Sequence, residues 1–166
     1  MDFKIARKNM VENQIRANKV TSLNVINAFF DVPREKFVPD SLQEISYVDE
    51  DIQLSRNRFM MKPMILARLF QSLNLEGNEN ILHVGSNSGY GSAILSRMCS
   101  SVISLESDKK LFETSIHTFS NMGFDNVVPL HGSMENGVEK EAPFDIIFIE
   151  GSVSYTHLTL PTKRIV

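Results

Sequence analysis

From residue 80 onward the chain alternates short apolar runs with helical periods, and no other feature constrains the fold as much. Ile81-Leu82-His83-Val84 ends in Gly85, and Val102-Ile103-Ser104-Leu105 ends in Glu106. Asn126–Leu130 reads as a third strand and Phe144–Ile149 as a fourth, with the unbroken core Ile146-Ile147-Phe148-Ile149. Between them Ser88–Met98 and Lys109–Met122 read as helices, the second stopped by Gly123, a residue favoured just past a helix end. An unbroken apolar strand belongs inside a sheet covered on both faces. Strands that alternate with helices pair in parallel through right-handed crossovers. The expected fold class is therefore α/β, built on a parallel sheet of about four strands.

The first part of the chain follows a different pattern. Met10, Val11, Gln14 and Ile15, then Val25, Ile26, Phe29 and Phe30, recur at helical spacing, and Thr21-Ser22 offers a cap for the second helix. Residues 41–62 have no clean period and read as an ordered loop region. Pro63 suits the first turn of a helix that continues to about Leu73. Residues 1–75 are thus expected to form a helical extension with a loop, and residues 76–152 the strand–helix domain. The remaining segment, 153–166 (VSYTHLTLPTKRIV), holds Thr156, Thr159 and Thr162 and no acidic residue. It is expected to be a non-native tail on a copy cut short after Ser152.

Composition excludes several classes. The balance of 17 Lys+Arg against 20 Asp+Glu gives a formal charge of −3, which argues against general affinity for nucleic acid. No apolar run approaches the length of a bilayer span, so no membrane partner is expected. The single cysteine, Cys99, excludes an internal disulfide and a multi-cysteine metal site, and a reducing, cytoplasmic setting is expected. His117 and His131 lack partners at metal-ligand spacing, so no metal is assigned.

The candidate site is the turn Gly85-Ser86-Asn87-Ser88-Gly89, which leaves the first strand and opens a helix. Such a turn aims backbone N–H groups and a helix dipole at a ligand. Gly85 and Gly89 permit a sharp turn and close approach, and Asn87 sits where a left-handed conformation is needed. The spacing is not GxGxxG, because Asn87 and Tyr90 stand where that pattern has glycine. Glu106, ending the next strand, stands where nucleoside-binding α/β folds place an acid for ribose hydroxyls.

The stretch ILHVGSNSGYGSAIL with VISLES, GFDNVVPLHGS and APFDIIFIEGS resembles the class I S-adenosylmethionine-dependent methyltransferases. NMVENQIRANKVTSLNVINAFFDVPREKFVP and YVDEDIQLSRNRFMMKPMILARLFQSLNL are similar, more narrowly, to protein-L-isoaspartate O-methyltransferases. The resemblance runs from about Asn9 to Ser152. It implies a Rossmann-like doubly wound parallel sheet of the class I methyltransferase type, incomplete here, with an N-terminal helical extension, S-adenosyl-L-methionine as cofactor, and methylation of the carboxylate of L-isoaspartyl residues in damaged proteins or peptides; a monomer is expected. It also implies that Gly85, Ser86, Asn87, Ser88 and Gly89 surround the methionine part of the cofactor, that Glu106 binds ribose and that Ser133 lies near adenine. No catalytic side chain is assigned.

Three departures from the family pattern stand out. His83 replaces the usual acid at the strand end, and Asn87 replaces a glycine. Met61 stands where the family carries a hydroxyl beside the substrate carboxylate, and a thioether donates no hydrogen bond. Arg58 or Lys62 would then be the groups available to hold that carboxylate. Two alternatives follow: a non-catalytic S-adenosylmethionine-binding paralogue, or a methyltransferase acting on another carboxylate or small molecule.

Overall fold

The computed structural model describes residues 1–151; the segment 153–166 read as a tail lies outside them. The chain divides into two compact units, the first spanning Met1–Asn74 and the second starting at Leu75.

In the first unit, α1 (Phe3–Met10) starts at Asp2, whose carboxylate accepts from the Lys4 and Ile5 amides. It runs on through a π-helical turn, Val11–Ile15, and a 3-10 turn. The expected cap of α2 (Leu23–Asp31) is present: Ser22 Oγ accepts from the Val25 amide. Then the structure departs from the sequence reading. Part of the presumed loop is an antiparallel hairpin, β1 (Ile52–Ser55) with β2 (Arg58–Met60), its register shifted between Gln53 and Ser55. The bulge breaks the alternation that would have revealed it. Pro63 opens α3 (Pro63–Ser72) as expected.

Two polar clusters hold this unit together. Arg7 donates to the Tyr47 hydroxyl at 3.0 Å and to the Phe30 carbonyl at 3.2 Å, and pairs with Glu35 at 3.3 Å. Tyr47 in turn donates to Glu35; burial, reinforced by that acid, pushes its hydroxyl pKa well up. Fully buried Arg34 donates to the carbonyls of Ser46 (2.7 Å) and Met61 (3.0 Å). With the Lys62 amide donating to Asp51 at 2.8 Å, the backbone around Met61 is fixed on both sides.

The second unit is the expected α/β fold. Its parallel strands are β3 (Asn80–Val84), β4 (Ser101–Glu106), β5 (Val127–His131) and β6 (Ile146–Ile149). Their order is β5-β4-β3-β6, so β3 lies between β4 and β6. Pro129 sits in β5, at a sheet edge among the described residues, where a missing N–H costs least. One face of the sheet buries Leu82, Val84, Ile103, Leu105, Phe144 and Ile147 in a single apolar cluster. Of the connecting helices, α5 (Lys109–Met122) ends on left-handed Gly123, as its sequence predicts, and is capped by Asp108. The helix α4 covers only Tyr90–Leu95, much less than the Ser88–Met98 expected.

Cys99 follows α4 and is buried. Burial, helped by the charge of Glu79, pushes its thiol up from 9.0 to about 12. Because the thiolate is the nucleophile, iodoacetamide at pH 8 is expected to leave the native chain unmodified and to alkylate it on unfolding. Fast labelling of the folded chain, read by mass spectrometry, would contradict this placement. Among the described residues no helix is long and apolar enough to cross a membrane, and no three His, Cys, Asp or Glu are grouped to hold a metal.

Candidate functional site

The β3–α4 turn and the end of β4 meet. Glu106 is 1% exposed, and its Oε2 accepts from the Asn87 amide at 2.7 Å. Its Oε1 accepts from the amides of Ser107 (2.9 Å) and Asp108 (2.8 Å). One carboxylate therefore ties the turn after β3 to the turn after β4. Charge-assisted bonds of this kind are roughly twice as strong as neutral ones, which is enough to fix both loops.

The turn itself is a chain of left-handed residues: Gly85 (φ 76°), Asn87 (φ 55°) and Gly89 (φ 93°). Asn87 thus takes the conformation its side-chain type tolerates. Four of the five loop amides are engaged within the fold. Gly85 and Ser86 both donate to the Leu105 carbonyl (2.9 and 3.2 Å), Asn87 to Glu106, and Gly89 back to Ser86 (2.9 Å). The six-residue α4 also has too little length to bring a substantial dipole to the site. What the turn does offer is hydroxyls. Ser86 (1% exposed) and Ser88 (2%) carry Oγ atoms with no hydrogen-bond partner among the described residues. Buried hydroxyls normally have partners, so these two are suited to a bound molecule or to water.

Ser133 is exposed and follows β5, whose last residue, His131, is in register with Glu106. The Gly132 amide donates to the Glu106 carbonyl at 3.1 Å. Gly85, Ser86, Asn87, Ser88, Gly89, Glu106 and Ser133 accordingly cluster at the carboxyl ends of three neighbouring strands, the usual ligand edge of an open parallel sheet.

The sequence reading treated His83 only as a departure and did not single out Glu150. In the fold they touch: His83 Nε2 lies 3.0 Å from Glu150 Oε2, and both side chains are buried. His83 Nδ1 is 2.8 Å from Ser92 Oγ, which is 2.9 Å from Ser104 Oγ. This polar chain crosses three strands and α4. Gly91 makes room for it, since a Cβ there would stand 2.9 Å from Glu150 Oε2 and 2.7 Å from the His83 ring.

Comparison with known proteins points in one direction. The family model for protein-L-isoaspartate(D-aspartate) O-methyltransferase (PCMT) matches residues 5–161. Protein-L-isoaspartate O-methyltransferase 2 of Anaeromyxobacter sp. (strain Fw109-5) is 34% identical over 143 residues, 86% of this chain and 59% of the relative. The protein of the same name from Shewanella sediminis (strain HAW-EB3) is 33% identical over 150 residues, 90% and 62% respectively. This chain thus spans about three fifths of those relatives' length. A solved protein-L-isoaspartate O-methyltransferase superposes with a TM-score of 0.78 at 23% identity, over 94% of this chain and 55% of that one. A Plasmodium falciparum structure, described as a beta-aspartate methyltransferase (PCMT) with S-adenosyl-L-homocysteine, superposes with a TM-score of 0.73 at 21% identity, covering 99% and 85%.

Proposed function

Since this chain belongs to the protein-L-isoaspartate(D-aspartate) O-methyltransferase family, we propose that it binds S-adenosyl-L-methionine and methylates the α-carboxylate of L-isoaspartyl residues in proteins or peptides. The observation that carries the reading is the bond from the Asn87 amide to Glu106, which joins the two strand ends where a nucleoside would lie. The donor set suits such a ligand. Glu106 offers a carboxylate for ribose hydroxyls, Ser86 and Ser88 offer buried hydroxyls without partners among the described residues, and Ser133 stands beyond Glu106 on the β5 side.

When bound, S-adenosyl-L-methionine supplies a methyl group made electrophilic by its sulfonium. The chain's own residues have little proton chemistry to perform, because a carboxylate nucleophile is already ionised near neutral pH. Their work is to hold both reactants in line and to exclude water. Glu106 does this by locking the two loops together, and Gly85 and Gly89 by letting the turn fold closely over β3.

Transfer of labelled methyl from S-adenosyl-L-methionine to an isoaspartyl peptide, with the aspartyl peptide as control, tests the reading. Label on the isoaspartyl peptide alone is expected. Binding of S-adenosyl-L-homocysteine without any transfer would favour the non-catalytic reading, for which Met61 in place of a hydroxyl is the specific observation. Absence of nucleoside binding would remove both.

A further inference from the structure

A cavity of about 280 Å³ opens in the first unit, between α1 with its π-helical turn and the segment 44–48. Ala6, Met10 and Val48 give it apolar walls, and Asn9, Asn13 and Glu44 give it polar ones. Helical spacing explains the α1 side: Ala6, Asn9, Met10 and Asn13 recur at i, i+3, i+4 and i+7 and share a face. Lys4 and Lys8 each stand two residues from Ala6, and so are turned away from that face. Asn13 belongs to the π-helical turn Val11–Ile15, a rare geometry that gathers at functional positions. The two walls are pinned to each other. Gln14 Nε2 donates to the Tyr47 carbonyl at 2.8 Å, and Arg7 Nε donates to the Tyr47 hydroxyl at 3.0 Å. The cavity is therefore formed before any ligand arrives, which lowers the cost of binding.

The polar groups of this cavity are not used by the fold. The Glu44 carboxylate and the Asn9 and Asn13 side-chain amides bond to no other described residue. Met1 also borders the cavity, and its ammonium pairs with no described carboxylate. Val48 is followed by the exposed acids Asp49 and Glu50, which continue the negative charge along the chain. We propose that the cavity receives a lysine side chain from a peptide segment of another protein. Its volume falls just below the range of about 300–1,000 Å³ for pockets that hold drug-sized ligands, and it suits one long side chain. Lysine brings an alkyl stem for Ala6, Met10 and Val48, and an ammonium whose three donors answer Glu44 and the carbonyl oxygens of Asn9 and Asn13. Charge selects this occupant: an acidic side chain is repelled by Glu44, and a purely apolar one leaves it unanswered. The surface lies within the first unit and needs no cofactor, so it stands apart from the methyl-transfer reading.

The test is an NMR titration of the full chain with two capped pentapeptides, Gly-Gly-Lys-Gly-Gly and the same sequence with norleucine, which keeps the stem and lacks the charge. The lysine peptide is expected to bind about 5-fold more tightly, the upper end for an exposed ion pair, with saturable shifts confined to the amides of residues 6–14 and 44–48. Glu44 is exposed and holds no described residue, so Glu44→Gln folds as the parent does. It is expected to erase the preference and to leave norleucine binding within about 2-fold. Equal binding of the two peptides by the parent, a preference that survives Glu44→Gln, shifts that map elsewhere, or no saturable binding each overturns the proposal. Butylammonium binding more tightly than the lysine peptide assigns the cavity to free amines and overturns the peptide partner. Shifts at the same amides that depend on protein concentration, without peptide, assign the face to a second copy and do the same.

Discussion

Gly89→Ala is expected to unfold at a temperature about 10 °C or more below the parent chain, the consequence of about 3 kcal/mol of lost stability. Two independent costs add. The residue sits at φ 93°, where a side chain is strained by roughly 1 kcal/mol. The new Cβ would also stand 2.4 Å from Phe119 Cζ and 2.9 Å from its Cε1. Phe119 is buried in α5 and packed edge-on against Phe124, so it has little room to retreat, and such overpacking costs about 1–3 kcal/mol. Gly123→Ala is the matched control: its φ is 68°, but nothing lies within 4 Å of the added methyl, so only the backbone strain remains. The same displacement of the β3–α4 turn would carry Asn87 away from Glu106, and S-adenosyl-L-homocysteine affinity should fall with stability. Equal melting temperatures for Gly89→Ala and Gly123→Ala would show that the close approach to Phe119 is not real.

The contrast between these two glycines also shows what a sequence can disclose. Gly123 was readable as a helix stop, because its role depends on the dozen or so residues before it. Gly89 was readable as a turn, but its contact with Phe119 depends on where α5 returns. Strands declared themselves for the same local reason: Ile146–Ile149 and Ile81–Val84 are apolar runs that need only be counted. The hairpin at Ile52–Met60 did not, since a bulge and an Arg56-Asn57 turn hide its period. The site divides along the same line. Glu106 and the glycine turn lie one strand–helix unit apart, and their meeting follows from the parallel fold. His83 and Glu150 lie at opposite ends of the second unit's sequence, and only the insertion of β3 between β4 and β6 brings them to 3.0 Å. The fate of the loop amides was illegible for another reason. A motif says where N–H groups are, but Leu105, Glu106 and Ser86 had taken four of the five.

Glu106→Ala should combine a structural and a functional loss, and Glu106→Gln should separate them. Removing the carboxylate orphans the buried Asn87 amide and leaves the part-buried amides of Ser107 and Asp108 to water. An orphaned buried donor costs about 1–3 kcal/mol, so the alanine variant is expected to lose about 2 kcal/mol in urea unfolding. The glutamine variant keeps the volume and one acceptor oxygen. If that oxygen serves Ser107 and Asp108, the new NH2 group faces the Asn87 amide, donor against donor, and the turn is pushed off β4. Because Glu106 is assigned to ribose, Glu106→Gln should weaken S-adenosyl-L-homocysteine and 5′-methylthioadenosine by the same factor, about 100-fold for a charged hydrogen-bonding group lost at a buried contact. Parent-level binding of 5′-methylthioadenosine by a folded Glu106→Gln chain would leave the carboxylate as a clamp between loops and place the ribose elsewhere on the sheet edge.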